Sequence, residues 1–231
     1  MTTLHSHETP AGARPSEVRA ADRGGSLLDE FDIQIQREWL LTNGRGGFAS
    51  GTVAGVPTRR YHGLLVAAAR PPLERWMLLS QVLEKVRAGG QEEECATFEF
   101  HGALHPRGFE MQTSFHVSNR RPLPWMQVTF ERGAVRLTKL VVFPRGLDEV
   151  RVYYRLEGPA GSPVSLEICP FTAMRDFHHL RRAFDGGFAA IPGPDHVAVD
   201  APDSGPRVWI RARCSDDARV RFDPQGGWWY G

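Results

Sequence analysis

The residues most able to do chemistry sit in two short runs. The first is Thr58-Arg59-Arg60-Tyr61-His62-Gly63, reached through the glycine-rich stretch Asn43-Gly44-Arg45-Gly46-Gly47. The second is Arg175-Asp176-Phe177-His178-His179. Guanidinium, phenol and imidazole groups are directed hydrogen-bonding groups, and tyrosine adds a flat apolar face. Together they offer what sugar hydroxyls and sugar rings call for. The same residues also fit a solvated strand edge anchored by a tyrosine, with Arg175 and Asp176 as a surface ion pair of little weight. Strand alternation would send Arg59 and Tyr61 to one face and Arg60 and His62 to the other.

Other chemistries fit less well. No Gly-Lys-Ser/Thr follows the glycine-rich stretch, and no strand–helix–strand context with a downstream ribose-binding acid is visible, so a phosphate loop is rejected. Glycines at this density are better explained by turns with positive φ and close backbone approach. Glycoside hydrolysis needs an acid and, across the scissile bond, a base or nucleophile. Glu38 and Asp176 are the acids nearest the two runs, and their spacing does not set them face to face. Glu92–Glu94 reads as a solvated loop after a turn, and Asp148-Glu149 as the surface start of a strand. His178 and His179 lack a third ligand at metal spacing, so no metal site and no cofactor is expected. Cys95, Cys169 and Cys214 are widely spaced and odd in number, which suggests three small buried hydrophobes in a reducing compartment.

These residues need elements to position them. A chain of 231 residues, 41% hydrophobic, can bury a sizeable core. The formal net charge of +1 removes the long-range attraction that a nucleic-acid or anionic-membrane binder exploits. No uncharged apolar stretch is long enough to span a bilayer. Residues 1–28 are polar, lack the apolar run of a secretory signal and read as a flexible tail, which makes the expected compartment cytoplasmic.

Phe31, Ile33 and Ile35 alternate with polar residues as in a half-buried strand. Trp76–Val86 stays open between two readings. Leu79, Val82, Leu83 and Val86 would line one helical face, yet Ala88-Gly89-Gly90 could equally turn a hairpin. From there period-two patterning dominates. Met126, Val128 and Phe130 lead through Glu131-Arg132-Gly133 into Val135, Leu137, Val141 and Phe143, a hairpin whose one polar inward member is Lys139. Further strands are expected at Val150–Leu156, Val164–Ile168, Val197–Val199, Val208–Cys214 and Val220–Phe222. The pattern predicts an all-β, mostly antiparallel fold, a large β-sandwich with few short helices. Trp228, Trp229 and Tyr230 would be costly to expose and are expected to pack on something, such as a following domain.

The run from Glu38-Trp39 through Thr42-Asn43-Gly44, Gly46-Gly47, Ala49-Ser50-Gly51-Thr52 and Thr58-Arg59-Arg60-Tyr61-His62-Gly63-Leu64-Leu65 resembles the N-terminal domain of bacterial and archaeal glycogen debranching enzymes of amylo-α-1,6-glucosidase type. Pro106-Arg107-Gly108-Phe109, the Val135–Phe143 strand and Pro170 with Arg175-Asp176-Phe177-His178 agree with it, so the likeness covers residues 29–231. The resemblance implies a supersandwich-like domain packed on a helical (α/α)6 toroid that carries the catalytic carboxylates. It also implies an α-glucan partner, glycogen or limit dextrin, cut at α-1,6 branch points. No catalytic residue is expected within these 231 residues. On that footing Asn43, Arg59, Arg60, Tyr61 and His62, with Arg175, Asp176 and His178, are expected to form a polar face towards the toroid's active-site mouth. They would orient the glucosyl branch or brace the loops that do. The alternative is a stand-alone carbohydrate-binding module for α-glucans that presents Trp228, Trp229 and Tyr230 to sugar faces.

Overall fold

A computed structural model of the protein describes residues 17–18, 27–181, 189–201, 205–214 and 220–223. Strands hold 58% of them and every pairing is antiparallel, as the alternating pattern predicts. In chain order come β1 (Glu17–Val18), α1 (Leu27–Gln36), β2 (Glu38–Thr42), β3 (Phe48–Thr52) and β4 (Gly63–Arg70). Then follow β5 (Leu73–Ala88), β6 (Gln91–Glu94), β7 (Thr97–Phe100) and β8 (Ala103–Arg107). A 3-10 turn over Gly108–Met111 leads into β9 (Gln112–Ser118), β10 (Trp125–Arg132) and β11 (Val135–Val142). The last are β12 (Arg151–Glu157), β13 (Val164–Asp176), β14 (Ala189–Pro192), β15 (His196–Asp200) and β16 (Arg207–Arg211).

Two sheets make the sandwich. One runs β1-β9-β10-β11-β12, and the other runs β13-β5-β4-β3-β2 with β6 beside β5. Their inner faces meet in one core that joins Leu41, Leu64 and Val82 of one sheet to Phe115, Val128, Leu137 and Val141 of the other. Fully burying each such side chain is worth roughly 1.5–3 kcal/mol. A three-stranded sheet, β14-β15-β16, leans its inner face on that core through Val197, Val199, Val208 and Ile210. The expected β10–β11 hairpin is present, with Met126 opposite Val141 and Val128 opposite Lys139.

Several expectations are corrected. Phe31, Ile33 and Ile35 lie in α1, not in a strand. Phe31 and Ile35, one helical turn apart, pack with Ala54, Val56 and Phe109, while Ile33 is 53% exposed. The stretch Trp76–Val86 belongs to the long strand β5, and Gly89 and Gly90, both with positive φ, turn it into β6. Glu92–Glu94 is therefore paired strand, with ion pairs from Arg87 to Glu92, Arg132 to Glu93 and Lys85 to Glu94. The strand expected at Val208–Cys214 ends at Arg211, and Val220–Phe222 forms none. Cys95 is buried, but Cys169 is half-buried and Cys214 exposed. Trp228, Trp229 and Tyr230 lie outside the described residues. Glu17 and Val18, within the stretch read as a tail, pair with His116 and Phe115 of β9.

The polar oddity in the hairpin has a partner across the sandwich. Lys139 Nζ lies 2.8 Å from Glu84 Oε1, and both side chains are almost wholly buried. Tyr154 Oη donates to the same carboxylate oxygen at 2.6 Å. Glu84 comes from β5 of one sheet, Lys139 and Tyr154 from β11 and β12 of the other.

Candidate functional site

The first chemical run is a turn between β3 and β4. Thr52 Oγ1 donates to the Val56 carbonyl at 2.8 Å, and His62 N donates to the Arg59 carbonyl at 2.9 Å. The chain thus reverses over Arg59–His62 instead of running extended, and strand alternation does not apply. The reversal pairs the side chains differently. Arg59 and His62 share one partner, Glu38 on β2, while Arg60 and Tyr61 reach the second run.

His62 is buried, 5% exposed. Its Nδ1 accepts the Arg59 backbone N–H at 3.4 Å, and its Nε2 lies 3.4 Å from Glu38 Oε1. With Nδ1 as acceptor, Nε2 carries the proton of the neutral ring. Burial holds the imidazole below its ordinary pKa against the opposing pull of Glu38, and Arg59 pushes it the same way. The Arg59 Nε donates to the same Glu38 oxygen.

The second run ends β13, where a bulge interrupts the pairing with β5 between Thr172 and Arg175. Met174, wholly buried, adopts φ 44° within it, and the bulge re-aims the residue that follows. Arg175 then donates through Nη1 to the carbonyls of Asp176 (3.2 Å), Phe177 (3.1 Å) and His179 (2.6 Å). Its Nη2 donates to the Arg60 carbonyl at 2.6 Å. The contact is reciprocal: Arg60 Nη1 donates to the His178 carbonyl at 2.9 Å, and Tyr61 Oη lies 3.2 Å from His178 Nδ1. The Phe177 ring sits 5.4 Å from the Tyr61 ring, with the Arg75 guanidinium 5.4 Å above it. Asp176 Oδ1 accepts the His178 backbone N–H at 2.8 Å. Two runs about a hundred residues apart thus close into one clasp.

Asn43 plays a different part. It is 1% exposed and uses its whole hydrogen-bonding capacity inside the chain. Oδ1 accepts from the N–H groups of Arg45 (2.8 Å) and Gly47 (3.0 Å), and Nδ2 donates to Leu147 O and Asp148 Oδ1, both at 2.9 Å. A Cβ on Gly47 would lie 2.6 Å from Asn43 Nδ2 and 2.9 Å from Val66 O, so glycine is required there. Arg75, unmarked in the sequence among many arginines, joins loop to clasp. Its Nε donates to Gly46 O at 2.7 Å, and its carbonyl accepts the Phe177 N–H at 3.1 Å.

Of the residues singled out in the sequence, Asn43 and His62 face inward, Arg175 and Asp176 hold the joint, and Arg59, Arg60, Tyr61 and His178 reach solvent. Glu38, Leu40, Thr42, Asn119 and Arg145 line a cleft of about 310 Å³ along β2, the edge strand of its sheet, so Glu38 belongs to cleft and clasp alike. That volume is within the range of small-ligand sites. A separate cavity between the sheets, about 60 Å³ beside His62, Glu84 and Lys139, has room for water but not for a sugar. Glu38 and Asp176 both accept hydrogen bonds from neighbouring groups of the chain. Among the described residues no three His, Cys, Asp or Glu side chains gather as a metal ion would need. Among the same residues no helix is long and apolar enough to cross a membrane.

Residues 37–231 match the family described as glycogen debranching enzyme N terminal. The chain belongs to that family. No curated protein and no solved structure matches it. The match begins one residue before β2 and takes in both halves of the clasp, so the geometry above is that of a debranching-enzyme N-terminal domain.

Proposed function

We propose that this chain is the accessory, substrate-positioning domain of a glycogen debranching enzyme that hydrolyses α-1,6-glucosidic branch points in the cytoplasm. The catalytic carboxylates come from a helical (α/α)6 domain of the same polypeptide. The clasp carries the reading. It holds Arg60, Tyr61 and His178 against one another, while Arg59 rests on Glu38, which also lines the cleft, and all four side chains reach solvent. Such groups orient a glucosyl branch of glycogen or limit dextrin without taking part in the proton transfers. Asn43, His62, Arg175 and Asp176 brace that face from behind.

The test uses the polypeptide that carries both domains. Replacing Arg59 and Arg60 together by alanine should lower kcat/KM on a branched limit dextrin by about tenfold or more, equivalent to about 1.4 kcal/mol. Thermal melting should hardly move, because both side chains are exposed. Unchanged turnover in that variant rules the reading out.

A further inference from the structure

After the clasp's second run, the β14–β16 sheet carries an outer face that the debranching role leaves unused. Its inner face is spent on the core, so the outer residues read as a grid. The registers Ile191 opposite Ala198 and Ala198 opposite Trp209 set one apolar row across all three strands. Trp209 is 56% exposed and Ile191 45%, while Ala198 between them is buried. On one side of that row Asp200 stands opposite Arg207, on the other His196 stands opposite Arg211. Same-face rows in a strand lie about 6.7 Å apart, so polar groups flank the indole on both sides at the width of a pyranose ring.

The flanking groups are held in place and largely neutralised. Arg207 Nη2 donates to Asp200 Oδ2 at 2.8 Å, and its Nε donates to the other carboxylate oxygen. Arg211 lies 3.7 Å from Asp195, which also makes a 2.8 Å hydrogen bond with His196 Nδ1. A Cβ on Gly193 would come within 2.4 Å of the His196 ring, so the imidazole rests on bare backbone. Both carboxyls are held below the ordinary aspartate value, Asp195 by its His196 hydrogen bond and by Arg211 and Arg213, Asp200 by Arg207.

We infer that the Ile191–Ala198–Trp209 row and its two ion-paired flanks form a docking platform for a neutral sugar chain, an α-glucan. The indole takes the apolar C–H face of a ring, and the ion pairs exchange hydrogen bonds with hydroxyls at its edges. An anionic ligand fits less well, because each arginine of the grid already has its carboxylate. A protein partner fits less well too. Three strands by three rows span roughly 130 Å², against about 800 Å² per side in a standard protein interface. The choice of an α-glucan among neutral sugars rests on the debranching role proposed above. The platform would hold an outer chain of a branched polymer while a branch is worked on elsewhere, and many weak contacts with one polymer add up.

Native gel electrophoresis of the 231-residue chain in glycogen-containing gels tests the inference. The chain should be retarded by glycogen, the Trp209→Ala variant should lose about tenfold or more in apparent affinity, and Trp209→Tyr should keep most of it. Maltoheptaose should relieve the retardation and inorganic phosphate should not. Absence of retardation, retardation unchanged in Trp209→Ala with native melting, or relief by phosphate would overturn the platform. Loss of retardation in Tyr61→Ala with Trp209→Ala unaffected would move the glucan to the clasp, overturning this inference and leaving the debranching reading intact. Normal turnover of the Arg59 and Arg60 variants, with retardation still dependent on Trp209, would do the reverse.

Discussion

Two of the polar assemblies among the described residues are built on opposite terms. The Glu84–Lys139–Tyr154 group lies inside the sandwich, with the lysine and glutamate side chains 7% and 1% exposed. The clasp of Arg59–His62 and Arg175–His179 lies at the surface, where Arg175 spends its donors on main-chain carbonyls. Charges taken out of water are tolerable only with a partner, so each member of the inner group depends on the others. The outer assembly is a frame. Water can replace many of its bonds, and those bonds hold Arg60, Tyr61 and His178 against one another. One assembly thus bears on whether the sheets pack, the other on what the end of the sandwich presents.

Removing one inner partner should show the largest effect. Lys139→Met leaves Glu84 buried without its cation, and the expected loss is about 3–5 kcal/mol of unfolding free energy. Replacing both, Glu84→Gln with Lys139→Met, should recover most of that loss, because no unpaired charge remains. Urea unfolding of the two variants measures it. A double variant as unstable as the single would mean that packing volume, not charge pairing, sets the cost.

A smaller effect is expected at the clasp. Arg175→Met removes four donations to backbone carbonyls that water can partly replace, so the loss should be about 1–2 kcal/mol. Arg175→Lys should rescue little, since one ammonium cannot span the carbonyls that a planar fork reaches. The sharper readout is amide hydrogen exchange, which should accelerate in residues 59–62 and 176–179 and leave the β10–β11 hairpin as it was. Acceleration spread through the whole sandwich would erase the distinction between the two assemblies.

The two assemblies also differ in how far the sequence discloses them. Lys139 stood out as the one polar member of an apolar row, because hairpin register is local and alternation places each residue on a face. Its partner Glu84 did not stand out, since Trp76–Val86 supports a helical and an extended reading equally well. The same ambiguity misplaced Phe31, Ile33 and Ile35, three residues that fit period two and, through Phe31 and Ile35, a helical turn. The residue types of the clasp were visible, but their meeting was not. The bonds that join its two halves run mainly from arginine to carbonyls more than a hundred positions away, and carbonyls are common to every residue. Arg75 was hidden for that reason as well. Asn43 and His62 read as polar groups for a ligand, and nothing in their neighbours' types shows that the chain itself takes up their hydrogen bonds.

The inward turn of His62 gives the smallest effect and joins the two assemblies, since this clasp residue shares a cavity with Glu84 and Lys139. The unfolded chain takes up a proton on this imidazole near pH 6.5, roughly the free value. The folded chain does so only at lower pH, because burial disfavours the charged ring more than Glu38 favours it. Between those two points the unfolded chain binds more protons, so unfolding free energy rises with pH across the window. The contribution is complete above about pH 6.5 and is lost as pH falls through the folded value. Urea midpoints of the wild type and His62→Gln, measured from pH 8 down to pH 5, isolate it, because the other histidines titrate in both. The wild type should lose ground on the variant as pH falls below 6.5. A difference flat across the range would mean that the Glu38 pairing cancels burial, and one that grows in favour of the wild type in acid would mean that the pairing dominates and that His62 is charged in its place in the clasp.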